Sequence, residues 1–289
     1  MRAKTMKIPK PDIKVTEVFD SCISNMRAAN QQLFRPCLPK IVTSTEEYEH
    51  YMENGDLEKV AQSESISGVP KHELEKLYTN KLSKAKQPAR KYYDKIISAA
   101  PMGLCPYCRQ QIVSTLDHYY PKAHYISLVI SPTNLIPTCA NCNKNKADVV
   151  VHKKEDAILN PYYEDLDSLI WLSAEIVKDI ASNFLTMTFS VLPPSDCDPV
   201  LCARLKNQFA VLHLNDLYSK HAAEEMIAVF NRHSRIYKVA GTIGVKESIL
   251  ESLEENKYRP NSWQSAMYRA LNDEWYLTKW LPQKYSENI

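Results

Sequence analysis

Glycine is scarce: there are 5 in a chain of 289 residues, where average usage near 7% would give about 20. Neither G-x-x-x-x-G-K-[ST] nor G-x-G-x-x-G occurs, so the backbone loops that cradle nucleotide phosphates in those motifs are excluded. Long apolar runs are also missing. Stretches such as 128–130 and 149–151 fall far short of the roughly 18 residues that span a bilayer. The amino terminus lacks a signal-type apolar stretch, and a soluble, cytoplasmic protein with no membrane partner is expected. A charge surplus is absent too, since 36 basic side chains face 34 acidic ones for a net charge of +2. That balance neither demands nor excludes a polyanionic partner. No internal repeat, low-complexity tract or block of like charge suggests a solenoid or a tail.

What is present points to a globular protein. With 44% apolar and 24% charged residues, the chain can bury a core large enough for one large or two small domains. Charge is unevenly placed: eight Lys or Arg against three acids lie between positions 71 and 100, and Arg2, Lys4, Lys7, Lys10 and Lys14 crowd the amino terminus.

Helical patterns free of Gly and Pro run over 15–34 and again from 71 to 84, and Pro88 suits the first turn of a helix reaching about 99. Ser44-Thr45-Glu46-Glu47 resembles a helix start with acids in its first turn. From 103 to about 160 the periodicity gives way to short β-branched pieces, prolines and cysteine pairs. Alternation over 173–180 and 184–192 suggests a hairpin turning at Ala181-Ser182-Asn183. Helical patterns return at 200–212, 215–239, 245–256 and 262–274, with Asn215 or Asp216 as the cap of the second. The expected fold is α+β and mainly α-helical: a partly basic helical region over 1–100, a cysteine-rich motif over 101–160, and a mostly helical region over 161–289.

Eight cysteines without a secretory signal do not read as a disulfide framework. Cys22, Cys37, Cys197 and Cys202 are scattered and read as ordinary small buried residues. The other four form two knuckles, Cys105-Pro-Tyr-Cys108 and Cys139-Ala-Asn-Cys142, separated by 30 residues. Each knuckle aims two sulfurs the same way, so a chain that folds back sets four thiolates around one ion. Tetrahedral Zn²⁺ is the expected occupant, and four Cys ligands leave no open position for a reacting water, which makes the site structural.

Between the knuckles run Leu116-Asp117-His118-Tyr119-Tyr120-Pro121-Lys122 and Asn134-Leu135-Ile136-Pro137, and the second knuckle continues into Cys142-Asn143-Lys144-Asn145-Lys146. Over roughly 104–148 this order resembles the HNH, or ββα-metal, nucleases, and within them the branch in which zinc staples the motif and the third motif position is Asn. The resemblance implies that His118 is the general base on a strand, that Asp117 and Asn143 hold a catalytic Mg²⁺ or Mn²⁺, and that Asn134 ties down the loop between the strands. Lys122 and Lys146 could face the substrate phosphate or be solvated surface lysines. His124 and His152 match no motif position.

The chemistry is consistent with that set. Phosphodiester hydrolysis needs a deprotonated water, charge compensation on the phosphoryl oxygens and help for the leaving 3′ oxygen. A near-neutral imidazole and one carboxylate with one amide around a hard, well-hydrated cation supply these. In a regular strand, however, Asp117 and His118 point to opposite faces, so a bend or twist must bring them to one centre. The layout of the whole chain more weakly resembles the HNH subunits that accompany an ATPase in bacterial anti-phage systems of the Septu and retron type. The expected function is thus a metal-dependent endonuclease acting on DNA, with RNA open. The alternative is a non-catalytic zinc module that binds nucleic acid or protein through its basic helices.

Overall fold

A computed structural model of the chain describes residues 8–165, 167, 169–178 and 185–287. It is mainly helical with three small two-stranded antiparallel sheets, an α+β fold. The described residues divide into two compact units, 8–165 and those from 167 onward.

In the first unit, α1 (Val15–Ile23) buries Val15, Val18, Phe19, Cys22 and Ile23, the i, i+3, i+4, i+7, i+8 stripe of an amphipathic helix. α2 (Ala28–Phe34) follows. α3 (Leu38–Asn54) starts with a proline in its first turn and stops at Gly55, whose φ of 70° supplies the left-handed cap. Ser44 to Glu47 therefore lie inside this helix and do not start it. Thr45 is buried there, with its hydroxyl bonded back to the Ile41 carbonyl. The short strands β1 (Ser65–Ile66) and β2 (Val69–Pro70) pair. α4 (Lys71–Lys76) then runs into a π-helical segment, Leu77–Leu82, and α5 (Arg90–Ile97) begins after Pro88.

The cysteine-rich stretch folds as β3 (Thr115–His118), β4 (Leu135–Thr138) and α6 (Ala140–Lys146). The strands pair antiparallel with Asp117 opposite Ile136 and His118 opposite Leu135. This ββα element is not an isolated module. Leu116 and Leu135, with Ile126, Val129 and Ile130 from the connecting loop, share one core with Val18, Phe19, Leu77, Leu82 and Ile96 of the helices. The amino-terminal helices are thus the other half of the core that holds the motif.

The second unit carries the hairpin of β5 (Leu172–Lys178) and β6 (Leu185–Val191). The expected turn at Ala181-Ser182-Asn183 lies outside the described residues. Along β6, Leu185, Met187 and Phe189 are buried and alternate with Thr186, Thr188 and Ser190, the two-residue period of a half-covered strand. α7 (Pro199–Val211) is capped by Asp198, which accepts from the Leu201 amide at 2.9 Å. α8 (Leu214–Glu255) begins behind His213 in the left-handed conformation. Asn215 does not cap it. Its Oδ1 accepts instead from the Phe189 amide of β6 at 2.8 Å. α9 (Trp263–Leu271), capped by Ser262, leads through a π-helical segment, Tyr276–Trp280, into α10 (Leu281–Glu287). No helix among the described residues is long and apolar enough to cross a membrane.

α8 is broken at Gly241, at φ 62° and ψ −158°, a region essentially open only to glycine. A Cβ added at Gly241 meets nothing within 4 Å, so an alanine there is opposed by backbone strain and not by collision. Gly241→Ala is expected to destabilise the protein by about 1–3 kcal/mol, read as a lowered midpoint in thermal or urea unfolding. An unchanged midpoint would mean that the bend is not held as described.

Candidate active site and metal centre

The two knuckles are formed by local hydrogen bonding. The Arg109 amide donates to the Cys105 carbonyl at 2.7 Å while Arg109 itself turns through φ 56°, and the Gln111 amide points at Cys108 Sγ at 3.5 Å. In the second knuckle Cys139 is the N-cap of α6, its sulfur accepting from the Cys142 amide at 3.4 Å. All four cysteines are buried, and their sulfurs lie within 4.8 Å of one another, with Cys108 and Cys139 Sγ 3.9 Å apart. Zinc–sulfur bonds of about 2.3 Å in a tetrahedron put sulfurs roughly 3.8 Å apart, so the four-cysteine set fits structural zinc. Cys22 and Cys37 are interior thiols that donate to the Leu77 and Ile66 carbonyls, and burial pushes Cys22 up to about 12. Cys197 and Cys202 are partly exposed instead.

Beside the clamp, a cleft of about 280 Å³ is lined by Asp117, His118, Lys122, Asn143, Asp148 and Tyr78, among others. The His118 ring places Nε2 2.9 Å from the Val129 carbonyl oxygen. A carbonyl only accepts, so Nε2 carries the proton and Nδ1 keeps its lone pair. Burial lowers the His118 pKa to about 3, against a smaller opposing contribution from the Val129 hydrogen bond. The ring is therefore neutral at cellular pH. Tyr78 packs edge-on against it at 4.4 Å between centroids and donates to the Leu116 carbonyl.

Asn134 is completely buried. Its Oδ1 accepts from the Tyr120 amide at 2.8 Å, and its Nδ2 donates to the Tyr120 carbonyl at 3.1 Å and to the Leu128 carbonyl at 3.4 Å. These bonds fasten the loop that presents Val129 to His118. Asn134→Ala would remove three buried hydrogen bonds, two to the Tyr120 main chain and one to Leu128, an expected cost of roughly 2–4 kcal/mol. Urea unfolding measures it, and a loss below about 0.5 kcal/mol, within the range of ordinary surface changes, would contradict this fastening role.

Asp117 is 3% exposed and its carboxylate is held by two side chains. Tyr107 donates its hydroxyl to Oδ2 at 3.1 Å, and the Lys146 ammonium lies 3.2 Å from each carboxylate oxygen. Burial pushes the Asp117 carboxyl above its ordinary value, opposed by Lys146 and Tyr107. Lys146 does not point into the open cleft: it is equally buried and also donates to the His118 carbonyl at 2.7 Å. Lys122 stands at the cleft with its ammonium 3.3 Å from Glu75. Asn143 is partly exposed on the cleft wall, its amide 3.4 Å from the Thr115 hydroxyl. One carboxylate and one amide oxygen on a common cleft fit a hydrated hard cation, which takes its other ligands from water and substrate.

Asp117, His118, Asn143 and Lys122 thus share one cleft, while Asn134 and Lys146 stand behind it. His124 and His152 do not line it. Two residues with no role in the sequence reading belong to the site. Tyr107 lies inside the first knuckle, where its position was visible but not its direction. Tyr78 comes from the π-helical segment far upstream, and nothing local marks it. Downstream, Tyr162 donates to the Leu135 carbonyl at 2.7 Å and so packs the motif from behind.

Two antiparallel strands and a helix stapled by four cysteines define a class, and residues 105–148 match the family model of HNH endonucleases. The chain thus carries an HNH domain with a four-cysteine metal site. Beyond that segment it is similar to Protein ea31 of Escherichia phage lambda, with 25% identity over 289 aligned residues covering 92% of this chain and 96% of that protein. No solved structure matches the chain.

Proposed function

We propose that the chain is a metal-dependent endonuclease that hydrolyses phosphodiester bonds of DNA, with His118 as the general base. The observation that carries this reading is His118 itself: a neutral imidazole anchored through Nε2, with Nδ1 free in the cleft shared by Asp117 and Asn143. Such a group can take a proton from an attacking water at cellular pH. Asp117 and Asn143 would hold Mg²⁺ or Mn²⁺, which when bound supplies charge compensation to the phosphoryl and leaving oxygens. Asn134 and Val129 orient the base, and Lys122 is offered to the backbone phosphate. The four cysteines would hold zinc as a staple only.

The rival, a non-catalytic zinc module, draws its support from the basic helices. Two of the eight basic side chains between 71 and 100 are paired with acids locally, Lys76 with Glu73 and Arg90 with Asp94, and the rival gives no reason for the Asp117-His118 pair or for Asn143 after the last Cys. The proposed ATPase partner and antiviral role rest on the layout resemblance alone. End-labelled DNA duplex, single-stranded DNA and RNA incubated with Mn²⁺, Mg²⁺ or EDTA test the nuclease reading. DNA fragments with 5′-phosphate ends in the metal arms only are expected. Substrates left whole in every arm would favour the binding module, and cleavage of RNA alone would reassign the substrate.

A further inference from the structure

Lys146 was a candidate for the substrate phosphate, yet its surroundings describe a different task. An ammonium has three N–H donors and no acceptor, and three acceptors surround this one: both oxygens of Asp117 at 3.2 Å and the His118 carbonyl at 2.7 Å. No donor is left for a phosphate. Both charged groups are 3% exposed, and lysine is almost never so fully buried unless paired. The pair is therefore screened little by water or salt. Asp117 is also the carboxylate that the proposed nuclease chemistry needs for its divalent ion. A second cation on the same carboxylate would sit a few ångströms from the ammonium in a poorly solvated place, where repulsion between like charges is strong.

Resting on the nuclease reading, we propose that Lys146 is the resident counter-ion of Asp117, and that a divalent cation gains the carboxylate only by exchange with that ammonium. Lys146 then sets the affinity of the cleft for its metal. Before substrate arrives, the ammonium occupies both Asp117 oxygens and the divalent ion binds weakly. A backbone phosphate entering the cleft adds negative charge that attracts both the incoming ion and the released ammonium. Metal and nucleic acid therefore bind with positive cooperativity, and idle protein does not hold a loaded, reactive centre.

The direct test is Mn²⁺ binding by electron paramagnetic resonance to zinc-replete wild type and Lys146→Gln, without nucleic acid. Glutamine keeps a donor for the His118 carbonyl but removes the charge that competes with the ion. Exchange predicts that Mn²⁺ binds at least ten-fold more tightly to the variant, and that saturating Mn²⁺ raises its melting temperature more than that of wild type. Equal or weaker Mn²⁺ binding in Lys146→Gln overturns the proposal and leaves the nuclease reading standing. Failure of both proteins to take up Mn²⁺ would overturn the two together. If the variant does not fold, the wild type suffices: the Lys146 ammonium resonance must shift or exchange faster with water as Mg²⁺ is added to saturation, and an unmoved resonance counts against exchange.

Discussion

Replacing Cys139 by serine is expected to unfold the unit formed by residues 8–165, not merely to loosen one loop. Cys139 is at once a sulfur of the cluster, with Cys108 Sγ 3.9 Å away, and the N-cap of α6. Structural zinc in small domains supplies about 10–16 kcal/mol of folding free energy, as much as the whole net stability of an ordinary domain, about 5–15 kcal/mol. Because Leu116 and Leu135 share their core with α1, the π-helical segment and α5, damage at the clamp spreads into those helices. The expected result is loss of bound zinc together with loss of the cooperative thermal transition of this unit, and strong chelation of wild type should reproduce both. Full thermal stability in Cys139→Ser would remove the case for a structural metal.

The second large effect is on rate. His118→Ala is expected to lower single-turnover DNA cleavage by about 10²–10⁴-fold, the usual contribution of a positioned acid–base group, while bound zinc is retained and the lost packing and Val129 hydrogen bond lower the unfolding midpoint without abolishing the cooperative transition. Its pH behaviour follows from its burial. The folded pKa of about 3 lies below the unfolded value near 6.5, so the unfolded chain binds the extra proton first. The stability His118 contributes is present above about pH 6.5 and is lost progressively as pH falls toward 3. In the cleavage rate, this group alone imposes no acid limb between pH 5 and 8. A limb near pH 6.5 that vanishes in His118→Ala would show that the ring titrates freely and is not anchored as described.

How far these features were legible in the sequence depended on how local they are. A knuckle is a four-residue device, so Cys105, Cys108, Cys139 and Cys142 declared themselves by spacing alone. Asp117, His118, Asn134 and Asn143 were legible because the resemblance fixes their order along one short segment. The apparent conflict over Asp117 and His118 on opposite strand faces is answered by geometry no pattern encodes. The carboxylate turns toward Tyr107 and α6, the imidazole turns toward Val129, and the cleft borders both. Directions of long side chains were not legible: Lys146 sits one helical turn after Asn143, which suggested the phosphate, yet it bends inward to satisfy a buried carboxylate. Tyr78 was invisible because its contact with His118 depends on tertiary packing across 40 residues of chain.

Element boundaries failed for similar reasons. Ser44-Thr45-Glu46-Glu47 has the composition of a helix start, but Pro39, five to eight residues earlier, already provides one, and α3 continues through. Asn215 was a plausible cap by type, yet the nearby β6 amide claims its oxygen. The break between 239 and 245 was readable because glycine at 241 interrupts an otherwise uniform helical pattern.

The most direct measurement incubates supercoiled plasmid with zinc-replete wild type and His118→Ala side by side, each with Mn²⁺ and each with EDTA. Relaxed circles formed by wild type in Mn²⁺ alone, and by neither protein in EDTA, are the predicted result. Equal relaxation by both proteins in Mn²⁺, or relaxation that survives EDTA, would contradict a metal-dependent centre built on His118.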